Sequence, residues 1–300
     1  MTRTRSFACI VGSEITHLLQ TGKIVGKQLG RISTPFGKSG EILDIDNPQG
    51  PFYMLSRCAE GINRPAPSKI NARANLYALK ELDVSAILDW APTGAVDHSI
   101  ALGDLVLASD VVDLTTKRND TFFPNSALGY LRQFPVFCRT LQRIVAQVLY
   151  EARLPLRPAS AVAITEGPRL ETPAEIRMIA GMGAQLVTHA LAPEVFLARE
   201  LQMCYVGLLY VVNYAETGSK HTPFDTNSLF AGSDSQPTSR LDATRNQFDT
   251  VIREIATAVD QALSEEQHTP CECAKPMAEQ AQRYNLSENW KNWFDSKDQE

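Results

Sequence analysis

Three side chains able to exchange hydrogen bonds or protons stand where one element gives way to the next. Glu171 lies just before Thr172-Pro173, His189 sits between Thr188 and Ala190, and Asn213 closes the apolar run Cys204–Asn213. A carboxylate accepts, an amide both donates and accepts, and an imidazole can bond a hydroxyl. Each also has an ordinary structural account: acids are favoured near helix N-termini, amides end strands, and a lone histidine can simply pack. Cys271-Glu-Cys273 is a fourth cluster. Zinc would need a second cysteine pair or histidines at ligand spacing, and only His268 is close. A local redox pair or a plain tail is therefore the expectation, and no metal is assigned.

The elements that must hold these groups alternate along the chain. Runs rich in Val, Ile and Leu predict strands at Phe7–Val11, Gly50–Ser56, Ala86–Trp90, Leu105–Leu114, Ala159–Thr165, Gln185–Thr188 and Cys204–Asn213. Longer periodic stretches predict helices at Lys69–Leu82, Val136–Glu151, Pro173–Met182, Pro193–Leu201 and Asp242–Glu266. Thr172 before Pro173, with Glu175 in the first turn, marks one helix start; Ser68 and Asp242 mark two others. Such alternation implies a mostly parallel sheet flanked by helices, with any site at the strand ends. The Ser-, Thr- and Gly-rich stretch Gly218–Ser239 reads as a long loop suited to a lid. Residues 1–268 form one domain in this reading and 269–300 a C-terminal tail. In that tail Asn285–Glu300, with Trp290 and Trp293, is either solvated or packed on a neighbouring subunit.

Composition excludes several classes. The 300 residues carry a net charge of -5 without a basic run, which argues against nucleic acid as a main partner. Met1–Arg5 is short and basic, but Phe7–Val11 reads as a strand and not as a signal peptide. Met203–Val212 is about half the length needed to span a bilayer. The expectation is a soluble cytoplasmic protein. Its six cysteines are scattered and do not form a disulfide framework.

Four stretches in order carry a resemblance: Thr34-Pro-Phe-Gly-Lys38, Pro67-Ser-Lys-Ile-Asn-Ala-Arg-Ala-Asn75, Thr165-Glu-Gly-Pro-Arg-Leu-Glu-Thr-Pro-Ala-Glu175 and Ala192-Pro-Glu-Val-Phe-Leu-Ala-Arg-Glu200. Gly103-Asp-Leu-Val106 and Asp113-Leu-Thr-Thr-Lys-Arg118 also fit. Together they resemble the methylthioadenosine and methylthioinosine phosphorylases of the purine nucleoside phosphorylase superfamily. The resemblance implies a single α/β domain with a central twisted mixed, mostly parallel sheet flanked by helices. It implies phosphorolysis of an N-glycosidic bond, giving free purine and 5-methylthioribose 1-phosphate. No cofactor is implied beyond inorganic phosphate as co-substrate. The implied assembly is a homotrimer with sites at the subunit borders.

The resemblance also assigns roles. Glu171 and Asn213 fall where 6-oxopurine phosphorylases place a catalytic glutamate and asparagine, whereas methylthioadenosine enzymes carry aspartate at the second position. An amide can donate to O6 and accept from a protonated N7, so a 6-oxopurine is expected. Leu170, His189, Ala91 and Pro92 are expected around base and sugar. Tyr130, Phe134, Phe137 and Val251 are expected to wall the 5' end.

Ser13, Arg57, Cys58 and Ala190 occupy the phosphate positions, and there the sequence departs from its relatives. Val11-Gly-Ser-Glu14 adds a carboxylate, Cys58 replaces histidine, and Ala91-Pro92 and Ala190 remove a hydroxyl, a backbone N–H and a second hydroxyl. Unless His189, Thr93 or Lys38 compensates, phosphate should bind weakly. Two other readings follow: a degenerate homologue that binds purines or other flat aromatic ligands with little turnover, and a nucleosidase in which Glu14 orients water.

Overall fold

Strand β1 (Phe7–Val11) shows why this chain builds a sheet buried on both faces. All five residues are inaccessible, and they alternate: Phe7, Cys9 and Val11 enter one core, Ala8 and Ile10 the other. A strand with no polar face must be covered on both sides. The computed structural model describes residues 6–12, 22, 24–58, 64–215, 238–264 and 271–294.

The remaining strands are β2 (Lys27–Thr34), β3 (Gly37–Ile45), β4 (Phe52–Ser56), β5 (Ala86–Ala95), β6 (Leu105–Asp113), β7 (Leu156–Ile164), β8 (Leu186–Thr188) and β9 (Cys204–Tyr214). They form one nine-stranded sheet in the order β2-β3-β4-β1-β5-β8-β7-β6-β9, with β9 also paired to β5. Strands β5, β8, β7, β6 and β9 therefore close on themselves as a ring. Pairing is parallel at β1/β4, β1/β5, β5/β9, β6/β7 and β7/β8, and antiparallel elsewhere. The expected mixed, mostly parallel α/β sheet is the one observed.

Helices α1 (Ala72–Glu81), α2 (Arg139–Glu151), α3 (Pro173–Gly181), α4 (Glu194–Glu200), α5 (Thr238–Asn246), α6 (Phe248–Ser264) and α7 (Lys275–Arg283) cover it. α1 and α4 fill one core, with Leu76, Leu79, Val195 and Leu197; α2 and α6 fill the other, with Leu141, Val145, Ile252 and Ile255. The capping box of α3 is complete: Glu175 N–H donates to Thr172 Oγ1 (3.3 Å) and Thr172 N–H to Glu175 (2.8 Å).

Ser68 does not start a helix. It lies in a short 3-10 turn, and Asn71 caps α1 by accepting from Ala74 N–H at 3.1 Å. The last expected helix is two, broken at Gln247, and the first begins ahead of Asp242. The hairpin β2–β3 is new: its first strand is largely exposed and lacks the apolar alternation that announces a strand. Residues 216–237, most of the expected lid loop, lie outside the described residues.

The C-terminal segment corrects a second expectation. Through Phe294 its apolar side chains pack on this same chain, while most of its polar side chains stay exposed. α7 buries Met277, Trp293 is 5% exposed, and both join the α1 core. Trp290 meets Tyr77 at 4.9 Å, while Phe294 meets Phe36 at 5.5 Å and stacks on Phe123 at 5.4 Å. Aromatic burial of this kind is worth roughly 2 kcal/mol or more per ring.

Glu200, at the end of α4, is a buried acid. Its carboxylate accepts from Phe122 N–H and Thr121 Oγ1, both at 2.6 Å. Burial nevertheless outweighs those bonds and pushes its pKa up to about 7. The folded protein thus holds a proton that the unfolded chain releases near its ordinary 4.5. Stability from this group is complete below the unfolded pKa and falls as pH rises toward the folded one, by on the order of 3 kcal/mol. Urea unfolding across about pH 5 to 8 should show that decline, and Glu200→Gln should flatten it and be the more stable form at the alkaline end.

Candidate functional site

The carboxyl ends of β1, β4, β5, β8 and β9 converge on a cavity of about 370 Å³. Gly12, Arg57, Cys58, Pro92, Thr93, Gly94, His189, Ala190, Tyr210, Val212 and Asn213 reach it from these strands and the residues that follow them. Leu170 and Glu171 enter from the loop between β7 and α3. Such strand-end crevices are where open α/β sheets bind ligands.

The Glu171 carboxylate is fixed by two side chains. Thr165 Oγ1 donates a short bond to Oε1, and His189 Nε2 stands 3.2 Å from the same oxygen. Burial pushes this carboxyl up, but the bonds from His189 and Thr165 outweigh burial and leave it below the usual range. It is ionised at neutral pH, an acceptor by charge as well as by position. Gly167 makes this packing possible. Its φ is +61°, and a Cβ there would lie 2.9 Å from His189 Nδ1.

Asn213 faces Gly94 across β5/β9, where the register shifts. Its Nδ2 donates to Tyr214 O at 3.2 Å, and its Oδ1 would lie 3.2 Å from any Cβ at position 94. Pro92 stands next to that irregularity, where a missing N–H is tolerated within a strand.

Arg118 ties the two site loops together and is 5% exposed. Its guanidinium donates to Thr165 O (2.8 Å) and Glu166 O (3.1 Å) on one loop, and to His189 O (2.9 Å) and Ala192 O on the other. Glu166 completes the clamp, accepting from Thr116 and Lys117 N–H at 2.8 and 3.0 Å. In sequence the Asp113–Arg118 stretch is only part of a motif. The fold shows what its arginine does.

The Arg57 side of the cavity has a different character. Arg57 Nη1 bonds the buried Asp89 at 3.0 and 3.3 Å, and Tyr205 donates to Asp89 Oδ2 at 2.7 Å. Burial opposes the charge of Arg57, yet Asp89 and Glu194 outweigh it and hold the guanidinium above its ordinary range. One cation therefore faces two buried acids, Glu194 being 4% exposed. Thr93 Oγ1 donates to Val187 O at 2.8 Å, His189 is occupied by Glu171, and Lys38 is not on the wall. Arg64 is on the wall, a cation that no motif in the sequence marks.

Other expected wall residues lie elsewhere. Ala91 is fully buried facing the α1 core, Phe137 packs on Tyr205 at 6.4 Å, and Val251 is buried in the α2–α6 core. These three do not line the cavity of the single chain: strand and helix periodicity turns Ala91 and Val251 inward, and the bend before α2 buries Phe137. Tyr130 and Phe134 are 84% and 64% exposed and also stand off the cavity. Ser13 lies outside the described residues, as does Glu14. Cys271 and Cys273, expected as a local redox pair or a plain tail, have Cys138 and Cys204 beside them.

A family model described as the phosphorylase superfamily matches residues 58–244. The chain belongs to the phosphorylase superfamily. A relative from Methanothermobacter thermautotrophicus, named "Probable S-methyl-5'-thioinosine phosphorylase", is 31% identical over 265 residues, covering 88% of this chain and 87% of that one. The 6-oxopurine nucleoside phosphorylase of Pyrococcus furiosus is 32% identical over 191 residues, 61% of this chain and 71% of its own. Among solved structures, a methylthioadenosine phosphorylase from an antarctic soil metagenomic library superposes with a TM-score of 0.76 at 22% identity. That match covers 93% of this chain and 92% of that one. This phosphorylase-superfamily chain thus shares the fold over nearly its whole length. Glu171, His189 and Asn213 lie inside the matched region, and Arg57 just precedes it.

Proposed function

We propose that the chain is a 5'-methylthio purine nucleoside phosphorylase that prefers a 6-oxopurine. The observation that carries this reading is that an ionised, oriented Glu171 and the amide of Asn213 line one cavity at the strand ends. Glu171 accepts the purine N1–H. Asn213 donates to O6 and bonds N7 as negative charge builds on the departing base, which is differential stabilisation of the transition state. His189 lies against the sugar, with Leu170 and Pro92 supplying apolar walls. Arg57 and Arg64 are the cations on the cavity wall at the phosphate side, with Cys58 and Ala190 beside them. Names of the relatives favour the same chemistry, being methylthioinosine and 6-oxopurine phosphorylases.

The assembly in this reading is a homotrimer in the cytoplasm. Tyr130 and Phe134, exposed in the single chain, then reach a neighbour's 5' site. Among the described residues no helix is long and apolar enough to cross a membrane.

A second reading has a specific observation behind it. Arg57 is already matched by Asp89 and Glu194, while Pro92 and Ala190 offer no donor side chain or proline N–H. A pocket so built could bind a purine without turning it over.

Release of hypoxanthine from methylthioinosine, and of adenine from methylthioadenosine, each with and without phosphate, separates these readings. Phosphate-dependent hypoxanthine release at the higher kcat/KM is the expected result. Release independent of phosphate would make the chain a nucleosidase. Purine binding without release would support the second reading.

A further inference from the structure

Cys138, Cys204, Cys271 and Cys273 bring their four sulfurs within 4.8 Å of one another. They come from three separate parts of the chain: the N-cap of α2, the first residue of β9, and the turn that opens the C-terminal segment. Loop length in sequence could not reveal this, since Cys204 and Cys271 are 67 residues apart and yet their sulfurs stand at 3.0 Å. All four are free thiols.

We propose that this cluster is a structural zinc site with a complete tetrathiolate ligand set. A tetrahedral Zn²⁺ with sulfurs at about 2.3 Å sets its ligands about 3.8 Å apart. All four sulfurs lie within 4.8 Å of one another, a limit that admits that value, and the Cys204–Cys271 pair at 3.0 Å would open by about 0.8 Å to reach it. Two disulfides would also use all four sulfurs, but each would hold its pair at about 2.05 Å, whereas Cys204 and Cys271 stand at 3.0 Å and all four cysteines are free. Four protein ligands leave no open coordination position, which marks a structural and not a catalytic site.

The surroundings suit a dianionic metal–thiolate centre. Leu141 N–H donates to Cys138 Sγ at 3.5 Å, at the positive end of a thirteen-residue helix. The Arg199 guanidinium acts electrostatically on both Cys138 and Cys273, and its Nε is buried without a partner. Such donors around the sulfurs are the usual outer support of thiolate metal sites. Binding transfers four thiol protons to solvent and forms four Zn–S bonds, without a redox step.

The site joins the C-terminal segment to the two elements on which it packs. It lies at the start of β9, whereas Asn213 lies at the far end of that strand, up to about 30 Å away along the chain. The metal therefore fastens the fold without entering the cavity.

Full-length protein should be expressed with zinc, gel-filtered and assayed by mass spectrometry for metal. About one zinc per chain is expected. Cys273→Ser and Cys138→Ser should each lower that content at least several-fold, while Cys58→Ser should leave it unchanged. Cobalt substitution should give the intense thiolate-to-metal charge-transfer and d–d bands of tetrahedral sulfur coordination. Alkylation of the wild-type protein under denaturing, non-reducing conditions guards against variants that fail to fold. Metal-free protein, four cysteines resistant to alkylation as disulfides, or zinc retained in both cysteine variants would overturn the proposal.

Discussion

Asn213→Asp should lower hypoxanthine release from methylthioinosine by about 10²–10⁴-fold in kcat/KM and raise adenine release from methylthioadenosine. The two side chains have the same shape, so the change isolates a single N–H donor. The amide presents a donor to O6, whereas a carboxylate presents a charge that O6 repels and a 6-amino group welcomes. Geometry sharpens the expectation. Asn213 Nδ2 now bonds Tyr214 O at 3.2 Å, and an aspartate oxygen would face that carbonyl instead. The new carboxylate would also share the cavity with Glu171, already ionised by its bonds to His189 and Thr165. Measuring both substrates in parallel checks the exchange; equal losses on both would mean that Asn213 only shapes the strand end.

Arg118→Ala should cost about 3–5 kcal/mol of folding stability and most of the activity with it. The guanidinium satisfies carbonyls of Thr165, Glu166, His189 and Ala192, and alanine would leave all four without that donor. It would also strand Glu166, whose carboxyl burial pushes up but Thr116 N–H, Lys117 N–H and Arg118 hold low. Because the clamp joins the loop bearing Glu171 to the turn bearing His189, the contact between those two should loosen before the fold does. Arg118→Lys keeps the charge but cannot span both loops, and it should recover only part of the stability. Urea unfolding of both variants, with kcat/KM measured below the transition, separates positioning from stability.

Much of this was legible because local chemistry and periodicity agree. The Thr172–Glu175 capping box, the two-faced apolar strands and the motif around Glu171 lie within short windows, and the structure brings Glu171, His189, Asn213, Arg57 and Cys58 onto one cavity wall. What was not legible depends on contacts distant in sequence. Arg57 reads as a free phosphate ligand until the fold places Asp89, Tyr205 and Glu194 beside it. Cys271-Glu-Cys273 reads as half a site until the fold adds Cys138 and Cys204. Trp293 reads as a tail residue until Tyr77, Phe36 and Phe123 prove to be partners of the rings on either side of it. Strand β2 was missed for another reason: a mostly exposed strand needs no apolar rhythm.

The closed ring of strands has a consequence for how copies of this chain meet. Because β9 is bonded to both β5 and β6, the far end of the sheet has no edge strand among the described ones. Among the described strands only β2 presents an open margin onto which another chain could add a strand. That margin is guarded. Its pairing with β3 is broken by two register shifts, Gly30 turns the backbone at φ +75°, and Lys27 and Arg31 place charge along it. Strand-to-strand growth of the folded protein is therefore disfavoured at the one open margin among the described strands.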